Sequence, residues 1–207
     1  FSSASTAVVD DLVSGEQIYV LAGRRLLRYA PADDTWSRLG QLPARVGSSL
    51  VATDHGLVAF AGTDENGTAL DAVQDPVDGT WTTLPDDPLP ASYDRFAVAD
   101  GDRLLVFASP VSEPDEEVRA KVAAAYDWYD GTWSELPTAP GGGYQAWRID
   151  DRVFLNPHFG PDGGGILDLA TDTWRAIPDD GEDWGGDAAG VIGSAAARYE
   201  YSHGWVF

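Results

Sequence analysis

The segment YDWYDGTWSELP at residues 126–137 has three near-copies elsewhere in the 207-residue chain. They are YAPADDTWSRL ending at Leu39, QDPVDGTWTTL ending at Leu84 and LDLATDTWRAI ending at Ile177. Each copy holds one member of a tryptophan quartet, which consists of Trp36, Trp81, Trp133 and Trp174. Self-similarity at about 40–50 residues is typical of a unit of about four short strands, because one such unit cannot bury its own apolar faces and must be repeated.

Two apolar segments precede each tryptophan of the quartet. The nearer segments are near-continuous apolar runs at residues 17–23, 56–62, 103–109 and 152–158. Runs of this length, bounded by Gly, Pro and Asp, favour strands that are covered on both faces. A second apolar stretch lies just upstream of each run, and short turns such as 99–103 and 150–152 join the two as hairpins. With a third strand before the tryptophan and a fourth beginning at it, each repeat is predicted to form a four-stranded blade.

Two segments depart from the regular repeat. Residues 114–127 are compatible with a helix, but we interpret them as a solvated acidic loop that lengthens the connection between the second and third strands. After Trp174 the pattern restarts without a further quartet tryptophan, which predicts a partial fifth unit and a fragment of a larger ring. We therefore predict one propeller domain over 1–207, with repeats at about 5–42, 47–85, 93–137, 143–178 and, in part, 186–207.

The composition excludes several classes of partner. The chain has 34 Asp and Glu against 13 Lys and Arg, and its formal net charge is −21 at pH 7. This charge opposes approach to nucleic acid or to an anionic bilayer, so no nucleic-acid partner is expected. No apolar run approaches the roughly 18 residues of a membrane helix, so no membrane insertion is expected.

Cysteine and methionine are both absent. Without cysteine the chain has no disulfide framework, no thiolate metal site and no cysteine nucleophile. A natural reading frame begins with methionine, so the residues are expected to be a processed form, an excised domain or a fragment. The compartment is left open, with a secreted or cell-envelope location favoured over the cytoplasm, and the Asp- and Arg-biased composition is interpreted as bacterial.

The repeat resembles the kelch repeat of the galactose-oxidase-like β-propellers. Its pattern is an Asp six residues before a Trp, followed by Leu-Pro or Ile-Pro. The matching sets are Asp75, Trp81 and Leu84-Pro85; Asp127, Trp133 and Leu136-Pro137; Asp168, Trp174 and Ile177-Pro178. In the first unit Ala30 replaces the Asp, while Trp36 and Leu42-Pro43 remain. The resemblance covers nearly the whole chain and implies an all-β kelch-type propeller of antiparallel blades.

The family's double glycine after the second strand is not kept. The corresponding pairs are Ala22-Gly23, Ala61-Gly62, Ala108-Ser109 and Pro157-His158. The copper chemistry of galactose oxidase uses a cysteine-linked tyrosine and histidine ligands, whereas this chain has no Cys and only His55, His158 and His203 in distant repeats. Copper oxidase activity is therefore excluded, and no cofactor is expected.

The repeated residues are expected to be structural. The tryptophan quartet is predicted to be wedged between neighbouring blades, since large aromatic side chains bury about 150–250 Å² each. The repeated Asp75, Asp127 and Asp168 are predicted to cap turns through their own backbone rather than to bind a ligand.

Two groups of residues are candidates for binding. In kelch propellers the loops from the fourth strand to the next blade, and from the second strand to the third, open on one face. By position these loops carry Arg45, Tyr93, Arg95, Tyr144, His158 and Trp184, of types favoured at recognition hot spots. A weak calcium candidate is the Gly-rich loop with Asp179, Asp180, Glu182, Asp183 and Asp187, for which a solvated loop is the preferred interpretation.

These observations favour a non-catalytic propeller that recognises or scaffolds a protein or a carbohydrate ligand. The alternative is a carbohydrate-active enzyme with its site in the central channel, because carboxylates are abundant, although no pair is distinguished from its neighbours. A third interpretation is an isolated fragment with no independent function.

Overall fold

The structure is a computed structural model that describes most of the chain. The described residues are 4–11, 15–42, 49–63, 69–75, 79–110, 120–141, 145–155, 164–177, 188–192, 195–200 and 204–206. Side chains are described for 17–42, 49–60, 79–92, 95–110, 120–141, 145–155 and 164–177. All regular secondary structure in these segments is β-strand, and none of it is helix.

The first two sheets contain four strands each. Sheet one consists of β1 (Ala4–Asp11), β2 (Gly15–Ala22), β3 (Arg25–Ala30) and β4 (Thr35–Gln41). Sheet two consists of β5 (Ser49–Thr53), β6 (Gly56–Thr63), β7 (Ala69–Asp75) and β8 (Thr82–Thr83). In both sheets each strand pairs with the next one along the chain, as tight polar turns require.

The same arrangement continues in three further sheets. Sheet three consists of β9 (Ser92–Asp100), β10 (Arg103–Pro110), β11 (Val122–Asp127) and β12 (Thr132–Leu136). Sheet four consists of β13 (Ala146–Ile149), β14 (Arg152–Leu155), β15 (Gly165–Asp168) and β16 (Thr173–Ala176). Sheet five contains β17 (Ala188–Ile192), β18 (Ala195–Glu200) and β19 (Gly204–Val206). The prediction of an all-β chain built from antiparallel four-stranded sheets is confirmed.

Two predicted hairpins are present. Gly101 and Asp102 connect β9 to β10, and Asp150 and Asp151 connect Ile149 to Arg152, which pair across β13 and β14. Both turns need a residue with positive φ, which Gly101 and Asp150 supply at 52° and 54°. Gly and Asp take this conformation at lower cost than most residues.

The part of 114–127 that the structure describes is not helical. Val122–Asp127 is strand β11, and its four central residues are buried. The prediction of a solvated loop is wrong for this part, because Ala123 and Ala125 belong to an apolar core cluster. Small alanines suit a strand that is packed closely on both faces, although their helix propensity is high.

Burial follows the apolar runs closely in the central strands. All residues from Leu104 to Ser109 in β10 are buried, and so are all residues from Leu57 to Phe60 in β6. Strand β14 instead alternates, with Val153 and Leu155 buried between more exposed neighbours. Coverage on both faces therefore holds for β6 and β10, whereas β14 is a half-buried strand.

The chain divides into two compact units. The first contains sheets one and two together with Ala99–Leu104 and Tyr126–Trp133, and the second contains the remaining segments. The first unit has a core cluster that includes Tyr19, Leu21, Leu26, Leu42, Leu50, Leu57 and Ala59. The second has a cluster that includes Phe96, Leu105, Phe107, Leu136, Val153, Leu155 and Leu167.

Lys121 is the single lysine of the chain, and its residue is only 2% exposed. Its ammonium donates a hydrogen bond to the Ser109 hydroxyl and lies 5.7 Å from the centre of the Phe96 ring. A buried ammonium requires such partners, because its loss of hydration is otherwise uncompensated. The Ser109 hydroxyl is one of these partners.

Gly165 allows the tryptophan of sheet four to approach its backbone. A Cβ atom at Gly165 would lie 2.8 Å from Cε3 of Trp174 and 3.1 Å from Cγ of Pro140. Any side chain would therefore displace the indole or the proline. Residue 165 must therefore be glycine for sheet four to keep this packing.

We predict that Gly165→Ala lowers the free energy of unfolding by about 1–3 kcal/mol through overpacking. The matched control is Gly40→Ala in β4, where a Cβ atom would meet nothing within 4 Å. Urea titration of both variants tests this. Equal stability of the two variants would contradict the close approach of Trp174.

Candidate functional site

The predicted binding face is described only at β9. Arg95 is half-buried in this strand, and Tyr93 belongs to the same strand, with only its backbone described. Arg45, Tyr144, His158 and Trp184 lie outside the described residues. The grouping of these six residues therefore stays a prediction.

The calcium candidate also stays a prediction, because Asp179, Asp180, Glu182, Asp183 and Asp187 fall in 178–187, outside the described residues. Among the residues that are described, no group of three His, Asp or Glu side chains could hold a metal ion. Over the same residues, no helix is long and apolar enough to cross a membrane.

Tryptophans of the quartet contact the Leu-Pro segment of the preceding repeat. The indole N–H of Trp133 donates to the carbonyl of Pro85 at 2.7 Å, and that of Trp174 donates to the carbonyl of Pro137 at 2.8 Å. Trp81 packs against the core cluster that contains Leu42. Pro85 and Pro137 come after the ends of β8 and β12, so their carbonyls are not used in those strand ladders and are available to the indole.

Trp36 differs from this pattern, and the expectation that it is wedged between blades is wrong for the structure described. It is 60% exposed, and it contacts the ring of Tyr29, which pairs with it across β3 and β4 at a centroid distance of 5.0 Å. Among the described residues, no proline carbonyl accepts from its indole. Burial of a tryptophan at this repeat position depends on the Leu-Pro segment of another repeat. The motif around Trp36 therefore could not by itself predict whether Trp36 is buried.

Each tryptophan of the quartet is aimed by the turn before it. The residue two positions upstream has positive φ in every copy, at Asp34, Gly79, Gly131 and Asp172. This residue reverses the chain after the third strand. A Thr and then the tryptophan begin the fourth strand in repeats one, three and four, whereas Thr80 and Trp81 come just before β8 in repeat two. Only Gly or Asp occupies this position because, with positive φ, most side chains bring Cβ too close to the following carbonyl oxygen.

The repeated Asp side chains close these turns. Oδ1 of Asp127 accepts the N–H groups of Tyr129 and Asp130 at 2.8 and 3.0 Å. Oδ1 of Asp168 accepts the N–H groups of Ala170 and Thr171, each at 3.1 Å. These are Asx turns. The side chain of Asp75 lies outside the described residues.

The Thr171 hydroxyl adds a third hydrogen bond to Oδ1 of Asp168, at 3.0 Å. This bond is the largest cause of a lowered pKa at Asp168. Desolvation is the next largest effect and opposes it, whereas the N–H bonds from Thr171 and Ala170 and the charge of Arg152 lower the pKa further. The turn therefore holds this carboxylate in its ionised form.

An aromatic cluster that the sequence did not single out lies in the first unit, and it consists of His55, Tyr126, Trp128 and Trp133. The His55 ring stacks on Trp128 with centroids 5.0 Å apart and an interplanar angle of 23°. Trp128 meets Tyr126 edge to face at 4.9 Å, and Tyr126 meets Trp133 at 5.1 Å. Such contacts hold the rings in fixed relative positions.

Three turns from two repeats position this aromatic cluster. The Thr53 hydroxyl accepts the His55 N–H at 3.1 Å and donates to the Gly56 carbonyl at 2.8 Å, which fixes the turn between β5 and β6. The Asp102 carbonyl in the turn between β9 and β10 accepts the Trp128 N–H at 2.9 Å. The third turn is the Asx turn at Asp127. These hydrogen bonds fix the backbone from which the rings of His55 and Trp128 project.

Polar groups surround the aromatic cluster. Oδ1 of Asp102 lies 3.8 Å from Nε2 of His55, and Asp54 and Asp130 are exposed in the adjoining turns. Nε1 of Trp128 is buried and donates to no described atom, and Tyr129 is 93% exposed beside it. Aromatic rings can pack on the apolar face of a sugar, and carboxylates beside them can accept hydrogen bonds from its hydroxyl groups.

One signal in the sequence could have pointed to this cluster. The residue after the repeated Asp is Trp128 in the third repeat, but Pro76 and Leu169 occupy the same place in two other repeats. An aromatic residue that breaks the repeat is a candidate for a role beyond the fold. The neighbours His55 and Asp102 come from other turns and carried no local signal.

No protein-family model matches the chain, and no curated protein matches it.

We predict that the effect of removing a quartet tryptophan follows its contact with the preceding repeat. Trp133→Ala should cost about 3 kcal/mol through lost packing, near the lower end for Trp→Ala because the side chain is half-buried. Trp36→Ala is the control and should cost well under about 1 kcal/mol, because Trp36 is mainly exposed. Chemical denaturation measures both, and similar losses would contradict the difference in burial.

We predict a pH effect at Asp168. Because its pKa is lowered in the folded state, the carboxylate stabilises the fold above its unfolded-state pKa, and this contribution is lost as the pH falls through the folded-state pKa. Thr171→Val removes the hydroxyl donor and should raise the pKa of Asp168, whereas Thr171→Ser should keep it low. Carbon-13 NMR titration of the carboxyl group checks this, and an unchanged pKa in Thr171→Val would refute the assignment.

Proposed function

We propose that this chain is a kelch-type propeller module without catalytic activity, and that its aromatic cluster binds a glycan. The observation that carries this proposal is the stacked pair of His55 and Trp128 with exposed carboxylates beside it. The fold assignment is supported by the recurrence of antiparallel four-stranded sheets with the Asp, Trp and Leu-Pro pattern.

The geometry favours a sugar ligand. A pyranose ring offers an apolar face to aromatic rings and hydroxyl groups to acceptors. Here the rings are fixed against one another, so little conformational entropy is lost on binding. Asp54 and Asp130 in the adjoining turns are exposed acceptors. The net charge of −21 opposes sugar acids, so neutral or amino-bearing glycans are the expected class.

The lowered pKa of Asp168 is not the property that a glycosidase requires of its acid. A glycosidase needs one carboxylic acid whose pKa is raised so that it can donate a proton. The pKa of Asp168 is displaced in the opposite direction, and its hydrogen bonds serve a turn. The carbohydrate-active enzyme is therefore the weaker alternative.

We predict that Trp128→Ala weakens glycan binding by about tenfold or more, because it removes the ring on which His55 stacks. Tyr129→Ala should weaken binding less, since this ring is exposed and makes no stacked pair among the described residues. Isothermal titration with neutral cello-, galacto- and chito-oligosaccharides and with glucosamine oligomers measures the affinity.

The matched control is Trp36→Ala, which removes an exposed tryptophan that is not part of the aromatic cluster. It should bind glycans as the unmodified chain does. Equal affinity of Trp128→Ala and the unmodified chain, or no heat with any of these sugars, would overturn the glycan assignment. Release of new reducing ends during incubation would support the enzyme alternative instead.

A further inference from the structure

The three turns that carry His55 and Trp128 of the aromatic cluster and the neighbouring Asp102 are strongly acidic. They are residues 53–56, 100–103 and 127–131, and all of them belong to the first unit. Together they hold five aspartates against one arginine, which is a formal charge of −4. At physiological salt the Debye length is about 8 Å, so a bound ligand responds mainly to the charges of these turns.

Two of the five aspartates are engaged within their own turns. Oδ2 of Asp100 accepts from Nε and Nη2 of Arg103 at 3.1 and 2.9 Å, so the arginine offsets this carboxylate. Oδ1 of Asp127 accepts the backbone N–H groups of the Asx turn. The other three aspartates are exposed, and they are Asp54, Asp102 and Asp130. A protonated His55 offsets one of these three and leaves two.

Asp102 lies at the edge of the stacked rings. Its Oδ1 atom is 3.8 Å from Nε2 of His55, and its side chain is 88% exposed. The His55 side chain is 39% exposed, so part of the stacked pair with Trp128 is open to a ligand. A pyranose that packs on an aromatic ring directs its substituents outward, past the edge of that ring. A substituent of a bound sugar therefore comes within reach of the Asp102 carboxylate.

We propose that the aromatic cluster binds sugars with a free, protonated amine, and that Asp102 selects them over neutral sugars. The sugar ring packs on the stacked pair, and its ammonium group donates to the Asp102 carboxylate. Asp54 and Asp130 add attraction from the adjoining turns. This inference rests on the proposed glycan function and narrows its ligand to one chemical class.

The charge of the donor decides between an amine and a hydroxyl group. A hydroxyl donates one hydrogen bond to a carboxylate, whereas an ammonium has three donors and the opposite charge. Water and salt weaken exposed ion pairs, so each one contributes no more than about a fivefold effect. Because several carboxylates act on the same ammonium, we expect a preference of about tenfold for the intact site. Acetylation of the amine removes its charge and should remove this preference.

The test uses the full chain and two trisaccharides that differ in one group on each sugar. The β-1,4-linked trimer of glucosamine has an amine at the position where cellotriose has a hydroxyl group. Isothermal titration in a mildly acidic buffer that keeps the amines protonated should show about tenfold tighter binding of the glucosamine trimer, and raised salt should reduce this difference. The N-acetylated trimer should bind without the salt-dependent gain.

Asparagine variants locate the selectivity. Asp102→Asn keeps the shape and an acceptor but removes the charge, so it should lower the preference for the glucosamine trimer by about three- to fivefold. Asp54→Asn and Asp130→Asn should each lower it less. The matched control is Asp33→Asn, because Asp33 is exposed in the turn between β3 and β4 and its replacement changes the net charge of the chain by the same amount. This variant should keep the full preference.

The outcomes separate this inference from the glycan proposal. Equal affinities for the glucosamine trimer and cellotriose would overturn the amine selectivity and leave the glycan proposal in place. Equal effects of Asp102→Asn and Asp33→Asn would also overturn it, since net charge alone would then be responsible. No binding of any of the trisaccharides would overturn both. Trilysine has amines but no sugar ring, so it should bind at least about tenfold more weakly than the glucosamine trimer. Equal affinity for trilysine, retained in Trp128→Ala, would assign the site to cations in general.

Discussion

The packing of quartet tryptophans against the preceding repeat is the interaction on which this fold depends, and at Trp133 and Trp174 an indole hydrogen bond to a proline carbonyl directs it. A four-stranded sheet of this size has two apolar faces and cannot cover both by itself. Trp133 and Trp174 each place a large ring against the preceding repeat, and each indole donates to a carbonyl that lies outside the strands. Direction comes from the hydrogen bond, and most of the stabilisation comes from the apolar area that the ring buries.

The turns before the tryptophans make that contact repeatable. A left-handed Gly or Asp stands two residues before each ring, and in the third and fourth repeats an Asp carboxylate closes the turn by accepting backbone N–H groups. Side-chain position is thus set by backbone geometry within one repeat. Because Asp127 closes the turn through backbone N–H groups, the residue after it can be Trp128 in one repeat and Pro76 or Leu169 in others.

The strands, the hairpins and the repeat could be predicted from the sequence because they depend on residues that are close together in the chain. Runs such as 103–109 and turns such as Gly101-Asp102 carry their own signal. The exposure of Trp36 could not be read in this way, because its burial depends on a segment from another repeat. The aromatic cluster was missed for a similar reason, since His55, Asp102 and Trp128 lie in three turns and meet only through tertiary packing. The predicted binding face falls mostly on loops whose placement is not described.

The burial of Lys121 has a consequence for the chemistry of the chain with amine reagents. Acylating reagents and amine cross-linkers attack the unprotonated side chain of an accessible lysine, and the single lysine here is enclosed with Ser109 and Phe96 in the second unit. Acylation at this side chain requires the surrounding strands to open first. The rate of its modification would then measure how often the interior around β10 and β11 becomes accessible to solvent, so the sequence contains a built-in reporter of local opening.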